Sequence, residues 1–314
     1  MRRAWLVVAA VGACAPVIPI DARYPAGTPL VVRYVRIQGT RILYTDTGSG
    51  TPVLFIHGLG ESIYAWRQNW EPVAAAGFRV ITFDNRGFGF SDKPDTGYSN
   101  AAYTRLVLGL MDALGLPDAV LVGHSMGGEI AAEVALAAPR RVRGLVLIDA
   151  AGEGIRVPAL LQLARVAPVE RLALTFAPRW AVRLALRSTY ADPALIQPAD
   201  LDQYYAPVVE PGFGHAVAQV LATFRFDALR GRLGAIQTST LVIWGGRDQW
   251  IPPVFGARLA TELPRCAFVV VPTAGHAVQE EASERVNDLL VSFLRQGVPQ
   301  APSDVALAGR PRPH

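Results

Sequence analysis

The sequence predicts an α/β domain on a mostly parallel sheet, with helices on both faces and a helical insertion. Three observations predict it. Short apolar runs alternate with amphipathic stretches from Val53 to Asp149 and again from Thr240 to Arg295. That alternation calls for parallel strands covered on both faces. The stretch Ala119–Ala138 then joins a continuous apolar run, Val120 to Val122, to an Ala-rich helical pattern through Gly123-His124-Ser125-Met126-Gly127. Finally, the alternation stops between Gly152 and Ala235, where only helical patterns broken by prolines are found.

In chain order, Val31–Ile37 and Ile42–Thr45 read as antiparallel strands about Gly39-Thr40. Val53–Ile56 is a buried strand ending in His57-Gly58-Leu59-Gly60, and a helix is expected over Tyr64–Ala76. Arg79–Phe83 is the next strand and exits through the Gly-rich turn Asp84–Asp92. Ser99 or Asn100 caps a helix to about Leu114. After Ala119–Ala138, stopped by Pro139, comes the strand Leu145–Ile148, ending in Asp149. The insertion carries helical patterns at Ala159–Val166, Val169–Arg187, Ala199–Val209 and Phe213–Leu229. The strand Thr240–Trp244, the helix Val254–Glu262, the strand Ala267–Val271 and the helix Gln279–Arg295 complete the pattern. The expected division is a first core part at 30–151, a cap at 152–235, a second core part at 236–296 and a disordered tail at 297–314.

Half of the 314 residues are hydrophobic, enough for one large core, and the net charge of +4 comes from scattered arginines. No basic stripe is present, so nucleic acid is not an expected partner. No Cys/His spacing suits a metal, and neither metal nor organic cofactor is expected. The first twenty residues differ from the rest. Arg2-Arg3 precedes a short apolar run, Ala4–Ala13, and then Val11-Gly12-Ala13-Cys14. This resembles the bacterial lipobox, and the resemblance implies lipidation at Cys14. Residues 21–29 would then be a linker tethering an exported protein to the envelope membrane. A periplasmic or secreted protein is the alternative. Cys266 reads as a small hydrophobe.

The Gly-x-Ser-x-Gly spacing has a steric reason. A strand turning sharply into a helix strains its corner residue, and only small neighbours leave room for it. Ser125 is thereby pushed out where a substrate can reach it. Its hydroxyl needs a base, and of five histidines His276, in a loop after the last strand, is the natural one. The base needs an anion. Asp248 ends the preceding strand region, and Asp149, ending the sixth strand, is the competing acid. Met126, following the nucleophile, supplies one oxyanion N–H.

The landmarks HGLG, DNRGFGFSD, GHSMGG and the late GGRD and AGH occur in that order between Val31 and Leu294. They resemble the α/β-hydrolase superfamily, in its serine-nucleophile, cap-bearing branch. The resemblance implies an eight-stranded sheet with the cap inserted after strand six. It makes Leu59 the second oxyanion donor and gives His57 and His124 structural roles. His57, Arg86 and Asp92 read as turn residues, Glu129 and Glu133 as a solvated face or a substrate-facing Glu129. The cap aromatics Phe176, Trp180, Tyr204, Tyr205, Phe213 and Phe224 read as packing or as an acyl pocket.

The leading functional reading is a serine hydrolase of small, apolar carboxylic esters acting through an acyl-enzyme. The alternative is C–C hydrolysis of the meta-cleavage-product type. Against it, Ala277 stands where those enzymes carry Trp after the catalytic His, and Glu61 follows Gly60 in place of an HGxGPG turn. A haloperoxidase or perhydrolase side activity and a non-catalytic binding protein are further readings.

Overall fold

The computed structural model describes residues 31–154 and 178–296. Cys14, the linker, Phe176, the helical pattern Ala159–Val166 and the tail lie outside them. Eight strands form one sheet: β1 Val32–Ile37, β2 Thr40–Thr47, β3 Pro52–Ile56, β4 Arg79–Phe83, β5 Ala119–His124, β6 Val142–Ile148, β7 Thr240–Gly245 and β8 Cys266–Val271. Their order is β1-β2-β4-β3-β5-β6-β7-β8. The pairs β1·β2 and β2·β4 are antiparallel, and all the others are parallel. The antiparallel start follows from the two-residue turn at Gln38-Gly39, both with positive φ.

The central strands are apolar throughout because both faces are covered. Side chains alternate across the sheet. Leu54, Ile56, Leu121, Leu145 and Val242 join the core on one face. Val53, Phe55, Val120, Val122, Val146 and Ile243 join the core on the other. Nine α-helices are described: α1 Trp70–Ala75, α2 Asn100–Ala113, α3 Met126–Ala137, α4 Arg179–Thr189, α5 Pro198–Val208, α6 Phe213–Thr223, α7 Pro253–Glu262, α8 Val278–Glu281 and α9 Ser283–Gln296. The three helices α4 to α6 fall between β6 and β7, where the strand–helix alternation breaks off.

Three expected helices are shorter or broken. Over 64–76 the chain forms a 3-10 turn, Ile63–Trp66, and then the short α1. Pro72 is the reason: it has no N–H and is tolerated only in a helix's first turn. The last helix divides at Ala282, whose φ of −127° and ψ of 44° are not helical. The break lets Glu280 and Glu281 reach different partners: Glu280 bonds Tyr190 and Tyr204 of the insertion, and Glu281 bonds the N–H of Gly275 and Ala191. The pattern Phe213–Leu229 stops being helical at Phe224, whose ring packs on Tyr103 at 5.9 Å.

Candidate active site

The parallel strands end along one edge of the sheet, and the loops leaving them carry the candidate residues. Ser125 follows β5 and has φ 52° and ψ −120°, a strained conformation for a residue with a side chain. The corner is possible only because its neighbours are glycines. A Cβ on Gly127 would lie 2.0 Å from the Ile56 carbonyl oxygen, and one on Gly123 would lie 2.3 Å from that of Gly127.

His276 comes to Ser125 from the loop after β8. Its Nε2 is 3.1 Å from Ser125 Oγ, and its Nδ1–H donates to Asp248 Oδ2 at 2.7 Å. The carboxylate needs that proton, so Nε2 is left to face the serine hydroxyl as an acceptor. Asp248 is fixed in turn, because its Oδ1 accepts from the N–H of Trp250 at 2.7 Å and of Ile251 at 2.9 Å. The Trp250 ring stacks on His276, with centroids 5.9 Å apart and planes within 10°.

Asp149, the competing acid, is fully buried and has a φ of 42°. It accepts the Gly245 N–H at 2.8 Å and makes no hydrogen bond to His276. Burial and the nearby Asp248 carboxylate hold the Asp149 carboxyl well above the usual range, which favours its neutral form. Donor atoms of Asp149, Asp248 and His276 come within 4.8 Å of one another. The Asp248 and His276 donors already bond to each other, which leaves too little for a cation.

Neither Leu59 nor Met126 donates its N–H to another described residue. Both are free to meet a developing oxyanion. Leu59 sits in a turn closed by Gly58 N–H donating to Glu61 Oε2 at 2.7 Å.

The other sequence candidates fall into place. His57 donates to the Gly58 carbonyl and accepts from the Asn85 N–H, a structural role. Arg86 bonds the Gly97 carbonyl, and Asp92 pairs with Arg41. His215 bonds the Asp95 carbonyl. Glu129 is a correction, being neither solvated nor substrate-facing. It is fully buried and accepts from Asn100 Nδ2 and the Ala228 N–H, both at 3.2 Å. Its helix face meets the chain leaving the insertion, so the polar stripe marks a seam. Phe213 packs on Phe88, and Phe224 on Tyr103, whereas Trp180 is exposed.

Sequence reasoning missed a second polar cluster. Arg67 is held by Glu280 and, at 3.0 Å, by Asp200. Tyr190 and Tyr204 donate to Glu280, and Tyr64 donates to Asp200. It also missed Glu61, whose only signal was a carboxylate three residues after Gly58.

Residues 51–283 match the model of the α/β hydrolase fold family, and the chain belongs to that family. Its relatives include the 2-hydroxymuconate semialdehyde hydrolase of Pseudomonas sp. strain CF600, 32% identical over 87% of this chain and 96% of that one. The dihydrolipoyllysine-residue acetyltransferase component of the acetoin cleaving system of Pseudomonas putida is 36% identical over 79% of this chain. This chain spans 64% of that protein's length. Among solved structures, a meta-cleavage product hydrolase from Pseudomonas fluorescens IP01 superposes with a TM-score of 0.73 at 28% identity, covering 84% of this chain and 97% of that one. The chain is a hydrolase.

Proposed function

We propose that this chain is a serine hydrolase of the meta-cleavage-product type, cutting a C–C bond beside a ketone with Ser125, His276 and Asp248. The observation that carries the serine mechanism is the hydrogen-bonded line from Asp248 through His276 to Ser125, 2.7 and 3.1 Å long. The choice of bond is supported by the names of relatives that match along nearly their whole length.

Ser125 Oγ attacks the carbonyl carbon, and its proton passes to His276 Nε2. The resulting imidazolium is stabilised by Asp248. The oxyanion accepts the N–H of Leu59 and Met126, and losing one such donor typically costs about 3 kcal/mol. Collapse breaks the bond to the leaving group, which takes the proton from His276. In C–C cleavage the leaving carbon's electron pair is delocalised into a conjugated carbonyl. Water then gives a proton to His276 and attacks the acyl-enzyme, and the acid is released with Ser125 restored.

Ester hydrolysis is the second reading, and two observations favour it. Ala277, buried against Leu186 and Tyr190, stands where the C–C hydrolases carry Trp after the catalytic His. Arg67, which could otherwise attract a substrate carboxylate, is already held by Glu280 and Asp200. Only the leaving atom distinguishes the two reactions, so one experiment compares kcat/KM for a ring-fission dienoate with that for p-nitrophenyl acetate. C–C hydrolysis requires the dienoate to be the better substrate by at least about tenfold. A reversed preference of that size establishes the ester reading.

A further inference from the structure

The oxyanion loop, the nucleophile and the base belong to three separate loops, and one pair of side chains touches all three. Glu61 lies in the oxyanion loop, and its Oε2 accepts the Gly58 N–H at 2.7 Å. The same carboxylate meets His124 Nδ1 at 3.0 Å. His124 directly precedes Ser125, and its Nε2 is 2.8 Å from the main-chain carbonyl oxygen of His276. Nε2 of His124 therefore faces a group that only accepts, and Nδ1 faces one that only accepts when it is ionised. Beside a charged Glu61 both require a donor, and the ring then carries two protons. His124 is fully buried, and burial alone would remove one of them.

We propose that Glu61 and His124 are positioning residues, a charged pair that fixes the oxyanion loop and the base-bearing loop about Ser125. The Glu61 carboxylate draws the Gly58 N–H to itself and leaves that of Leu59 directed at the site. His124 holds the His276 main chain, with the two rings 4.9 Å apart. Other ionisable groups bear on the pair. Glu280 favours the His124 charge, and His57, backed by Asp84, faces Glu61. Burial opposes both charges, yet the pairing prevails: His124 is held above its ordinary range, and Glu61 is drawn down to about 2. A buried pair of this kind contributes little net stability, so its value lies in the geometry it enforces.

The proposal rests on the serine-hydrolase reading for its catalytic consequence, though not for its charge state. Glu61→Gln is the informative variant. The amide oxygen can still accept from Gly58, and its NH₂ can donate to Nδ1, so the partners are kept while the charge is lost. Nitrogen-15 NMR of the histidine rings at pH 8 should find both His124 nitrogens protonated in the native protein and only Nε2 protonated in the variant. In steady-state kinetics, kcat of the variant should fall about tenfold or more, with KM changed less than about twofold, because neutral bonds hold the two loops less firmly than the charged pair does. A singly protonated His124 in the native protein overturns the proposal, whether or not the variant folds. So does a variant with native kcat. If the ring carries two protons but Ser125→Ala keeps native activity, the hydrolase reading has failed and the charge assignment stands.

Discussion

The edge of the sheet and the seam beneath the insertion are both buried and polar, but their polar groups are held in different ways. At the edge, main-chain groups at strand ends do most of the holding. Asp248 is fixed by two N–H groups of its own loop, and Asp149 by that of Gly245. At the seam, side chains hold one another: Arg67 with Glu280 and Asp200, and three tyrosine hydroxyls on the two carboxylates. A carboxylate held by the backbone leaves behind neutral N–H groups when it is lost. One held by a cation leaves a buried charge unsatisfied, which costs more. Damage at the edge should therefore appear in kcat, and damage at the seam in stability.

The largest effect expected is at the edge. Asp248→Asn should lower kcat by about 10⁴-fold, the loss seen when an amide imposes the wrong imidazole tautomer. Asp149→Asn should keep most of the activity. Asp149 makes no bond to His276, and burial beside Asp248 favours its neutral form, so an amide of the same shape should replace it with little change. Circular dichroism checks that both variants fold, and steady-state kinetics on the better substrate compares them. If Asp149→Asn is the dead variant, the acid has been misassigned and the distinction between the two carboxylates collapses.

The same contrast explains what could be read from the sequence. Ser125, Asp248 and His276 were legible because each sits in a short motif at the end of an apolar run, and parallel strands bring such ends together. The strands themselves were legible because burial on both faces makes them continuously apolar. Neither the seam nor the Glu61–His124 pair was legible, because the partners are far apart in sequence. Arg67 and Glu280 are 213 positions apart, and Glu61 and His124 are 63 apart. No local spacing encodes such contacts. Glu129 was misread for a related reason. A polar residue one turn from another looks the same on a helix whether water or a returning segment covers it. The helix expected over 64–76 overlooked a local signal, Pro72.

At the seam, Arg67→Met should cost about 3–5 kcal/mol of stability, since it leaves two buried carboxylates without their cation. Urea unfolding at pH 7 measures it, and kcat at a temperature where the variant stays folded should change far less than in Asp248→Asn. The double variant Arg67→Met/Glu280→Gln should recover part of the loss, because one of the stranded charges is gone. A single variant as stable as the native protein would show that the tyrosine hydroxyls alone satisfy the carboxylates. The proposed difference between the two regions would then fail.

The smallest effect is expected from Glu129, which holds the other side of the seam without a cation. Burial, reinforced by Glu133 and Asp227, raises its carboxyl to about 9, against the hydrogen bonds from Ala228 and Asn100. At neutral pH the folded protein therefore keeps a proton that the unfolded chain has released. Between the ordinary value of 4.5 and about 9 the unfolded state binds fewer protons, so this group lowers stability as pH rises through that window. Glutamine at this position has no proton to lose. Its oxygen can accept from Asn100 and Ala228 as Oε1 does, and its NH₂ takes the place of Oε2, which has no partner among the described residues. At pH 4.5 the two proteins should differ little, since a neutral carboxyl and an amide are alike there. By pH 6 Glu129→Gln should be the more stable by on the order of 1–2 kcal/mol, a tenfold change in proton activity being worth at most ~1.4 kcal/mol for one group. Urea unfolding of both proteins at the two pH values decides the matter. A difference that stays flat with pH would mean that Glu129 is ionised in the fold, so that a buried carboxylate at this seam needs no cation.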